Sequence, residues 1–283
     1  MGGAASLASP LTTHIAMTPD TPTIALSDAV WMRMAAPHVA WVCIDRPEAR
    51  NAVNAAVAQG LEAAIDRCEA DSDIWVTVLT GAGPDAFCAG ADLKEVAAGR
   101  SDALWTERGG FAGITSRERS KPWIAAVQGK ALAGGTEIAL ACDLIAASDN
   151  AGFGLPEVLR GLIAAAGGLV RLPRAIPPRV AMEHILTGRP IGVQQAHQWG
   201  MVSRVVPRDA LADTALALAN EIASNAPVAV RESLRLARVA LDHDEAALRL
   251  LSQEAIERVK ASEDFQEGPR AFIEKRAPRW TGR

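Results

Sequence analysis

The pattern of apolar and polar positions differs between successive parts of the chain, and each part predicts a different kind of structure. In the first part, short apolar runs that fit β-strands flank amphipathic segments that fit helices. The predicted strands cover residues 30–34, 39–44, 74–79, 123–127 and 144–147, and the predicted helices cover residues 51–71 and 135–142. Because strands and helices alternate, we expect an α/β fold with parallel strand pairing.

Two further segments depart from this alternation. Residues 92–119 are polar, irregular and glycine-bearing, which is typical of a lid or binding loop inside a compact domain. After Gly168 the strand pattern fades, and helices are predicted at residues 180–187, 193–199, 208–224, 227–242 and 245–262. We therefore predict an α/β core at residues 28–205 and a helical region at residues 206–283.

The first 27 residues are predicted to form a flexible tail. Residues 1–19 carry no charge and are rich in Ser, Thr, Pro and Gly. They contain neither a basic stretch nor a continuous apolar stretch, so we expect no signal peptide and no membrane anchor. The first arginine is Arg33, which argues against a mitochondrial presequence.

Composition and charge exclude several classes of function. The chain has 283 residues, of which 49% are apolar and 22% charged, as in soluble globular proteins rather than disordered ones. Its net charge is −4, and its Lys and Arg residues are scattered along the chain. We therefore expect no nucleic-acid surface and no binding to an anionic membrane.

Cysteines and histidines show no pattern of a metal site. The cysteines lie in apolar surroundings without a CxxC spacing, so we expect four buried, reduced thiols in a cytoplasmic protein: Cys43, Cys68, Cys88 and Cys142. The five histidines have no paired spacing, so no metal is expected. The run Gly81-Ala82-Gly83-Pro84-Asp85-Ala86 follows a strand but opens no helix at the required point, which favours a turn over a dinucleotide site.

Two segments each combine glycines with a glutamate at a predicted helix start. They are Ala131-Leu132-Ala133-Gly134-Gly135-Thr136-Glu137 and Phe153-Gly154-Leu155-Pro156-Glu157. Free backbone N–H groups at a helix start can stabilise a developing negative oxygen. Singly, either glutamate also fits an acid that complements the helix dipole, and proline is common at the first helical position. Their joint occurrence favours proton transfer beside a stabilised oxyanion.

A third segment allows two interpretations. It is Phe87-Cys88-Ala89-Gly90-Ala91-Asp92-Leu93-Lys94. Its small residues allow the backbone to approach a ligand closely. It is equally a simple turn in which Asp92 caps the helix that follows. The residues alone leave both readings open.

Together these three segments resemble the crotonase (enoyl-CoA hydratase/isomerase) superfamily. Other motifs match in the family's order: Asp45-Arg46-Pro47 with Asn51-Ala52, Leu186-Thr187-Gly188 with Ala196 and Gly200-Met201-Val202, and Glu267-Gly268 with Phe272-Ile273-Glu274-Lys275-Arg276. The resemblance spans residue 28 to the C-terminus. It implies repeated ββα units in two steeply angled sheets, with a C-terminal helical region that builds trimers, often paired as hexamers.

The resemblance also implies a substrate and a site. The substrate is a coenzyme A thioester, and no metal or further cofactor is needed. The N–H groups of Ala91 and Gly134 would form the oxyanion hole, and Glu137 and Glu157 would be the acid–base pair. Residues that contact CoA would be Ala89, Ala91, Asp92, Leu93 and Lys94, with Lys275 reaching the nucleotide end from a neighbouring subunit.

The predicted function is hydration of a 2-trans-enoyl-CoA to a 3-hydroxyacyl-CoA, in the degradation of fatty acids or related acyl-CoAs. The alternatives among enzymes are an enoyl-CoA isomerase and a carnitinyl-CoA-type dehydratase. Isomerases often keep only one of the two glutamates, so the pair favours hydration. A non-catalytic scaffold or RNA-binding relative is the alternative outside enzymes, and the acidic pI of about 5.8 argues against it.

Two positions depart from the pattern of the hydratases. Ala165 lies where these enzymes commonly have a glycine that helps to position the water. Asp85 occupies a position that is often basic in relatives, which predicts weaker contact with the CoA phosphates.

Overall fold

The structure, a computed structural model, describes residues 22–283. Its strands are β1 (Ile24–Ser27), β2 (Val30–Ala36), β3 (Val39–Ile44), β4 (Val76–Gly81), β5 (Ala86–Cys88), β6 (Trp105–Thr106), β7 (Gly110–Phe111), β8 (Trp123–Val127), β9 (Lys130–Leu132), β10 (Leu144–Ser148), β11 (Gly152–Gly154), β12 (Ile191–Gly192) and β13 (Arg204–Val206). Its α-helices are α1 (Ala55–Ala70), α2 (Leu93–Ala97), α3 (Gly134–Ala141), α4 (Gly168–Ala175), α5 (Pro178–Thr187), α6 (Val193–Gln198), α7 (Leu211–Ala223), α8 (Pro227–Val239), α9 (Glu245–Lys260) and α10 (Glu263–Glu274).

A seven-stranded sheet in the order β1-β2-β3-β4-β8-β10-β13 forms the centre of the core. The first three strands pair antiparallel, and every pair from β3 to β13 is parallel, as predicted. Strands β3 and β8 are buried along their whole length. They are covered on both sides, because α1 packs in the hydrophobic cluster on one face and α7 in the cluster on the other.

A second sheet, in the order β12-β11-β9-β5, carries the segments with candidate chemistry. Three strands of the central sheet are each followed by a strand of this second sheet and then by helical structure. The three units are β4-β5-α2, β8-β9-α3, and β10-β11 with a 3-10 turn and α4. The predicted repetition of ββα units is therefore present. Since β5, β9 and β11 pair in parallel, their carboxyl ends lie at one edge of the second sheet.

Several predicted boundaries need correction. The strand β1 pairs with β2, so the ordered fold begins before residue 28, and only residues 22–27 of the predicted tail lie within the described chain. The sequence pattern missed β5, β9 and β11, because strands of three residues are too short to show a period of two. The element that contains Glu157 is a 3-10 turn, Pro156–Arg160, rather than an α-helix.

Beyond the second sheet the chain is mainly helical, as predicted. Helices α5 to α9 correspond to the predicted segments, whereas α4 and α10 were not predicted. Within the described residues, no helix is both long and apolar enough to cross a membrane. All four cysteines are buried and none forms a disulfide, as expected.

Candidate active site

The turn after β5 presents one backbone donor. Gly90 adopts a φ of +90°, which favours glycine, and its carbonyl accepts a hydrogen bond of 2.8 Å from Val53 N–H. The N–H of Asp92 is bound in turn to the Val53 carbonyl, at 2.9 Å. The N–H of Ala91 lies between these two bonds and has no acceptor among the described residues.

The turn before α3 presents a second donor. Ala133 has a φ of +51°, a strained value for a residue with a side chain, and its N–H donates to the Gly154 carbonyl at 2.8 Å. Gly134 then begins α3, and its N–H has no acceptor among residues 22–283. A Cβ on Gly134 would lie 2.4 Å from Cε1 of Phe111, so Phe111, in the predicted lid of residues 92–119, leaves no room for a side chain there.

The two turns face each other. A Cβ on Gly90 would lie 2.9 Å from the Cβ of Ala133 and 3.1 Å from the nitrogen of Gly134. Only glycine at position 90 therefore allows the loop with Ala91 to approach the start of α3 so closely. The structure thus brings together the two donors predicted for an oxyanion hole.

Buried side chains from the region between β3 and α1 hold the first turn. Arg46 donates to the Ala52 carbonyl at 2.6 Å and forms an ion pair with Asp92 at 3.1 Å. Asn51 is fully buried, and its Nδ2 donates to the carbonyls of Ala82 and Ala86. These contacts attach both ends of the segment from β4 to α2 to one rigid region of the core. Asp92 also accepts a bond from Lys94 N–H at 3.1 Å, so the predicted helix cap is confirmed.

Glu137 lies in the first turn of α3 and is almost fully buried. Its Oε1 accepts a hydrogen bond of 2.9 Å from the backbone N–H of Gly168. Burial, and to a smaller extent the negative charge of Glu157, raise the pKa of Glu137 to about 7 against the opposing effect of this hydrogen bond. At neutral pH the carboxyl group can therefore both accept and release a proton.

Glu157 lies at the second position of its 3-10 turn. Its Oε2 is buried and has no hydrogen-bond partner among the described residues. Burial raises the pKa of this carboxyl group as well. Its negative charge raises the pKa of Glu137, so the two predicted carboxylates are close enough to interact electrostatically. A buried acceptor without a partner is costly, which indicates that a ligand or a water completes it.

The predicted CoA-contacting residues divide into two groups. Ala89 and Ala91 are half-buried beside the oxyanion hole, while Leu93 and Lys94 on α2 are exposed next to it. Lys275 is elsewhere, exposed at the end of α10, and α10 packs on α9.

The two departures from the family pattern also have defined places. The N–H of Ala165 donates to the Ile163 carbonyl at 2.9 Å, so it is not free to bind a water. Asp85 is exposed on the turn between β4 and β5, and its carbonyl accepts from Lys130 N–H at 3.0 Å.

Sequence reasoning missed Gly168 and Phe111 as parts of the site. Gly167 and Gly168 lie at the start of α4, as Gly134 and Gly135 lie at the start of α3. The same sequence signal was therefore present for the backbone donor that binds Glu137. Phe111 carried no such signal, because its contact with Gly134 joins residues far apart in the chain.

A groove of about 1280 Å³ lies beside this site, between the lid, α3, α4 and α8. Neither Glu137 nor Glu157 lines this groove. Its seven arginines all bind groups of the same chain: Arg117 to Asp66, Arg119 to Ile114 O, Arg171 to Thr115 O, Arg174 to Asp242, Arg231 to Gly282 O, Arg235 to Glu232 and Arg238 to Asp143. Within residues 22–283, no group of three or more His, Cys, Asp or Glu side chains is arranged to hold a metal ion.

The ββα units, the facing backbone donors, the buried Glu137 and the half-buried Glu157 define a site of the crotonase type. A sequence model of the family "Enoyl-CoA hydratase/isomerase" matches residues 35–283. The chain therefore belongs to the enoyl-CoA hydratase/isomerase family and is an enzyme of that family.

Individual relatives agree with this assignment. The chain is 41% identical to a carnitinyl-CoA dehydratase of Proteus mirabilis, over 86% of this chain and 94% of the relative. It is 40% identical to a mevalonyl-coenzyme A hydratase of Aspergillus fumigatus, over 86% of this chain and 92% of the relative. A solved enoyl-CoA hydratase from Mycobacterium tuberculosis H37Rv superposes with a TM-score of 0.86 at 43% identity, covering 90% of this chain and 99% of that one.

Proposed function

We propose that this protein is an enoyl-CoA hydratase, which adds water syn across the double bond of a 2-trans-enoyl-CoA to give a 3-hydroxyacyl-CoA. The observation that carries the proposal is the position of Glu137. This acid is buried, has a pKa of about 7, and lies one turn into the helix whose first N–H is a free donor. A second, half-buried acid, Glu157, acts on it electrostatically. Proton transfer and oxyanion stabilisation are thus available in one small volume.

The proposed reaction begins with the thioester carbonyl between the N–H groups of Ala91 and Gly134. Hydrogen bonds to this oxygen draw electron density from the β-carbon and stabilise the negative charge that develops on the oxygen as water adds; one such donor is typically worth about 2.7–4 kcal/mol. Glu137 and Glu157 hold the water between them. The water oxygen attacks the β-carbon while one carboxylate takes a proton from this water. The other acid, in its protonated form, delivers a proton to the α-carbon. Because like charges repel, one member of the pair is protonated at neutral pH.

The same proposal assigns the binding of CoA. Ala89, Ala91, Asp92, Leu93 and Lys94 form the border of the oxyanion hole and would contact the pantetheine arm. Lys275 would contact the nucleotide end from a neighbouring subunit, since α10 packs on α9 in its own chain. CoA enters as part of the substrate, and the proposed chemistry uses no metal and no further cofactor.

We also propose that the protein assembles as a trimer or as a dimer of trimers. Large apolar side chains on α5 and α10 are strongly exposed in the single chain: Leu186 at 72%, Phe272 at 85% and Ile273 at 78%. Monomeric proteins rarely expose many such side chains close together, so contact with other copies would explain them. The four buried free thiols support a cytoplasmic location, where disulfides are rare.

A carnitinyl-CoA-type dehydratase is the second candidate, because one of the relatives has that name. Both reactions use the same acid pair, so the acyl group distinguishes them. The test is to incubate the purified protein with crotonyl-CoA, a long-chain and a branched 2-enoyl-CoA, and to follow loss of the conjugated thioester absorbance. Carnitinyl-CoA is assayed in parallel for appearance of that absorbance. Dehydration of carnitinyl-CoA alone would favour the second candidate, and no turnover of any of these thioesters would contradict both.

A further inference from the structure

Thr136 lies in the first turn of α3, next to Glu137, and is fully buried. Its hydroxyl oxygen accepts a hydrogen bond of 3.0 Å from the N–H of Gly154. Two carbonyl oxygens lie within reach of its single proton, that of Ala131 at 2.7 Å and that of Gly154 at 2.9 Å. The hydroxyl group is therefore fully used inside the protein.

These contacts connect the segments that carry the active site. Ala131 belongs to β9, which leads directly to the oxyanion donor of Gly134. Gly154 ends β11, three residues before Glu157. The pairing of β9 with β11 ends at Leu132 and Gly154, where the chain turns into α3. The Thr136 hydroxyl binds paired residues of both strands at this end, so one side chain joins the first turn of α3 to the strand that precedes Glu157.

We propose that Thr136 is a positioning residue of the active site, whose hydroxyl fixes Glu137 relative to Glu157 by binding the start of α3 to the end of β11. The inference rests on the proposed function, since the two carboxylates that it aligns are those of the hydration step. Valine has nearly the same shape as threonine, but it would leave the buried Gly154 N–H without that acceptor. Both carboxylates must reach one water, and a misplacement of about 1 Å can lower a rate roughly 10²-fold.

The test compares Thr136→Val with Thr136→Ser, which keeps the hydroxyl. Thr77→Val is the matched control, because Thr77 is fully buried on β4 and its hydroxyl has no nitrogen or oxygen partner in the described chain. We expect kcat for enoyl-CoA hydration to fall about 10- to 100-fold in Thr136→Val, with KM and CoA affinity within about twofold of wild type. The apparent pKa values of the kcat profile should also move, because the distance between two like charges changes. Thr136→Ser should recover most of the activity, and Thr77→Val should behave as wild type.

Amide hydrogen exchange provides a readout that does not need activity. Exchange at Gly154 should be faster in Thr136→Val than in wild type and close to wild type in Thr136→Ser. A protein that hydrates no enoyl-CoA would refute the proposed function. The exchange rate at Gly154 would then still show whether the Thr136 hydroxyl protects the Gly154 N–H. A folded Thr136→Val with wild-type kcat, pH profile and Gly154 exchange would overturn the inference. If Thr136→Val does not fold, Thr136→Ala carries the same expectation, and equal kcat in the Ala and Ser variants would overturn it.

Discussion

The backbone N–H of Gly168 donates a hydrogen bond of 2.9 Å to Oε1 of Glu137. This bond orients the carboxylate at the start of α4. It also opposes the effect of burial on the pKa of Glu137, because it stabilises the charged form. The start of α4 thus orients the buried acid and holds its proton affinity below the value that burial alone would give.

Replacement of either acid should remove most of the activity. In Glu137→Gln and in Glu157→Gln we expect turnover to fall roughly 10²- to 10⁴-fold, the usual contribution of general acid–base catalysis. The variant Glu183→Gln is a suitable control, because the side chain of Glu183 is exposed and pairs with Arg189 on the surface. Steady-state kinetics with the best enoyl-CoA substrate measures the effect. Full activity in Glu157→Gln would contradict the hydratase mechanism.

The two acids should also behave as a unit. Once one carboxylate is lost, the other no longer has its water held in place, so the double variant should lose much less than the product of the two single losses. Single-turnover rates for the two single variants and the double variant test this. Strictly multiplicative losses would show that the two acids act independently.

The stability of the protein should depend on pH through Glu137. Its pKa is raised from 4.5 to about 7, so the folded protein retains a proton that the unfolded chain releases above pH 4.5. Between pH 4.5 and 7 this group therefore lowers the stability as pH rises, by about 3 kcal/mol at most, and above pH 7 the loss is constant. Glu137→Gln has no such group. Its free energy of unfolding relative to wild type should rise across this window and be flat on either side. Denaturant titrations at pH 4, 5.5, 7 and 8 measure the difference, and a difference that does not vary with pH would be inconsistent with a raised pKa.

The contribution of the Gly134 N–H to catalysis can be tested in a background that removes the collision with Phe111. Any side chain at this position collides with Phe111, so both variants are made in a Phe111→Ala background. Gly134→Ala keeps the N–H, whereas Gly134→Pro deletes it at the first helical position, where proline is tolerated. We expect kcat to be about 10²- to 10³-fold lower with proline than with alanine. CoA affinity, measured by calorimetry, should be similar in both, because the proposed CoA contacts lie at residues 89–94 and at Lys275. Equal kcat in the two folded variants would place the thioester oxygen elsewhere.

The assembly state should be a multiple of three chains. Light scattering at micromolar concentration should give the mass of a trimer or a hexamer of the 29.8 kDa chain. We expect Phe272→Asp to shift the distribution towards smaller species, because a charge on this exposed ring position would weaken an apolar contact. A wild-type protein that is entirely monomeric would exclude the proposed trimer.

Much of the fold and of the site could be predicted from the sequence. Apolar runs and helical periodicity predicted β2, β3, β8, β10 and α1, because each of these elements is long enough to show its own pattern. The glycine turns and the two glutamates were found because a backbone donor requires small residues at fixed positions next to a helix start. These are local properties, so the chain carries them in consecutive residues.

Only the tertiary structure decided how these parts meet. The strands β5, β9 and β11 have three residues each, so their pairing depends on neighbours far along the chain rather than on their own pattern. The contacts of Gly134 with Phe111, of Glu137 with Gly168 and of Thr136 with Gly154 cross 23, 31 and 18 positions of sequence, respectively. No local pattern specifies such a contact, because it forms only when the sheet and the helices have packed. The sequence by itself therefore determined which groups are candidates for the chemistry, and the packing determined their proton affinity and geometry.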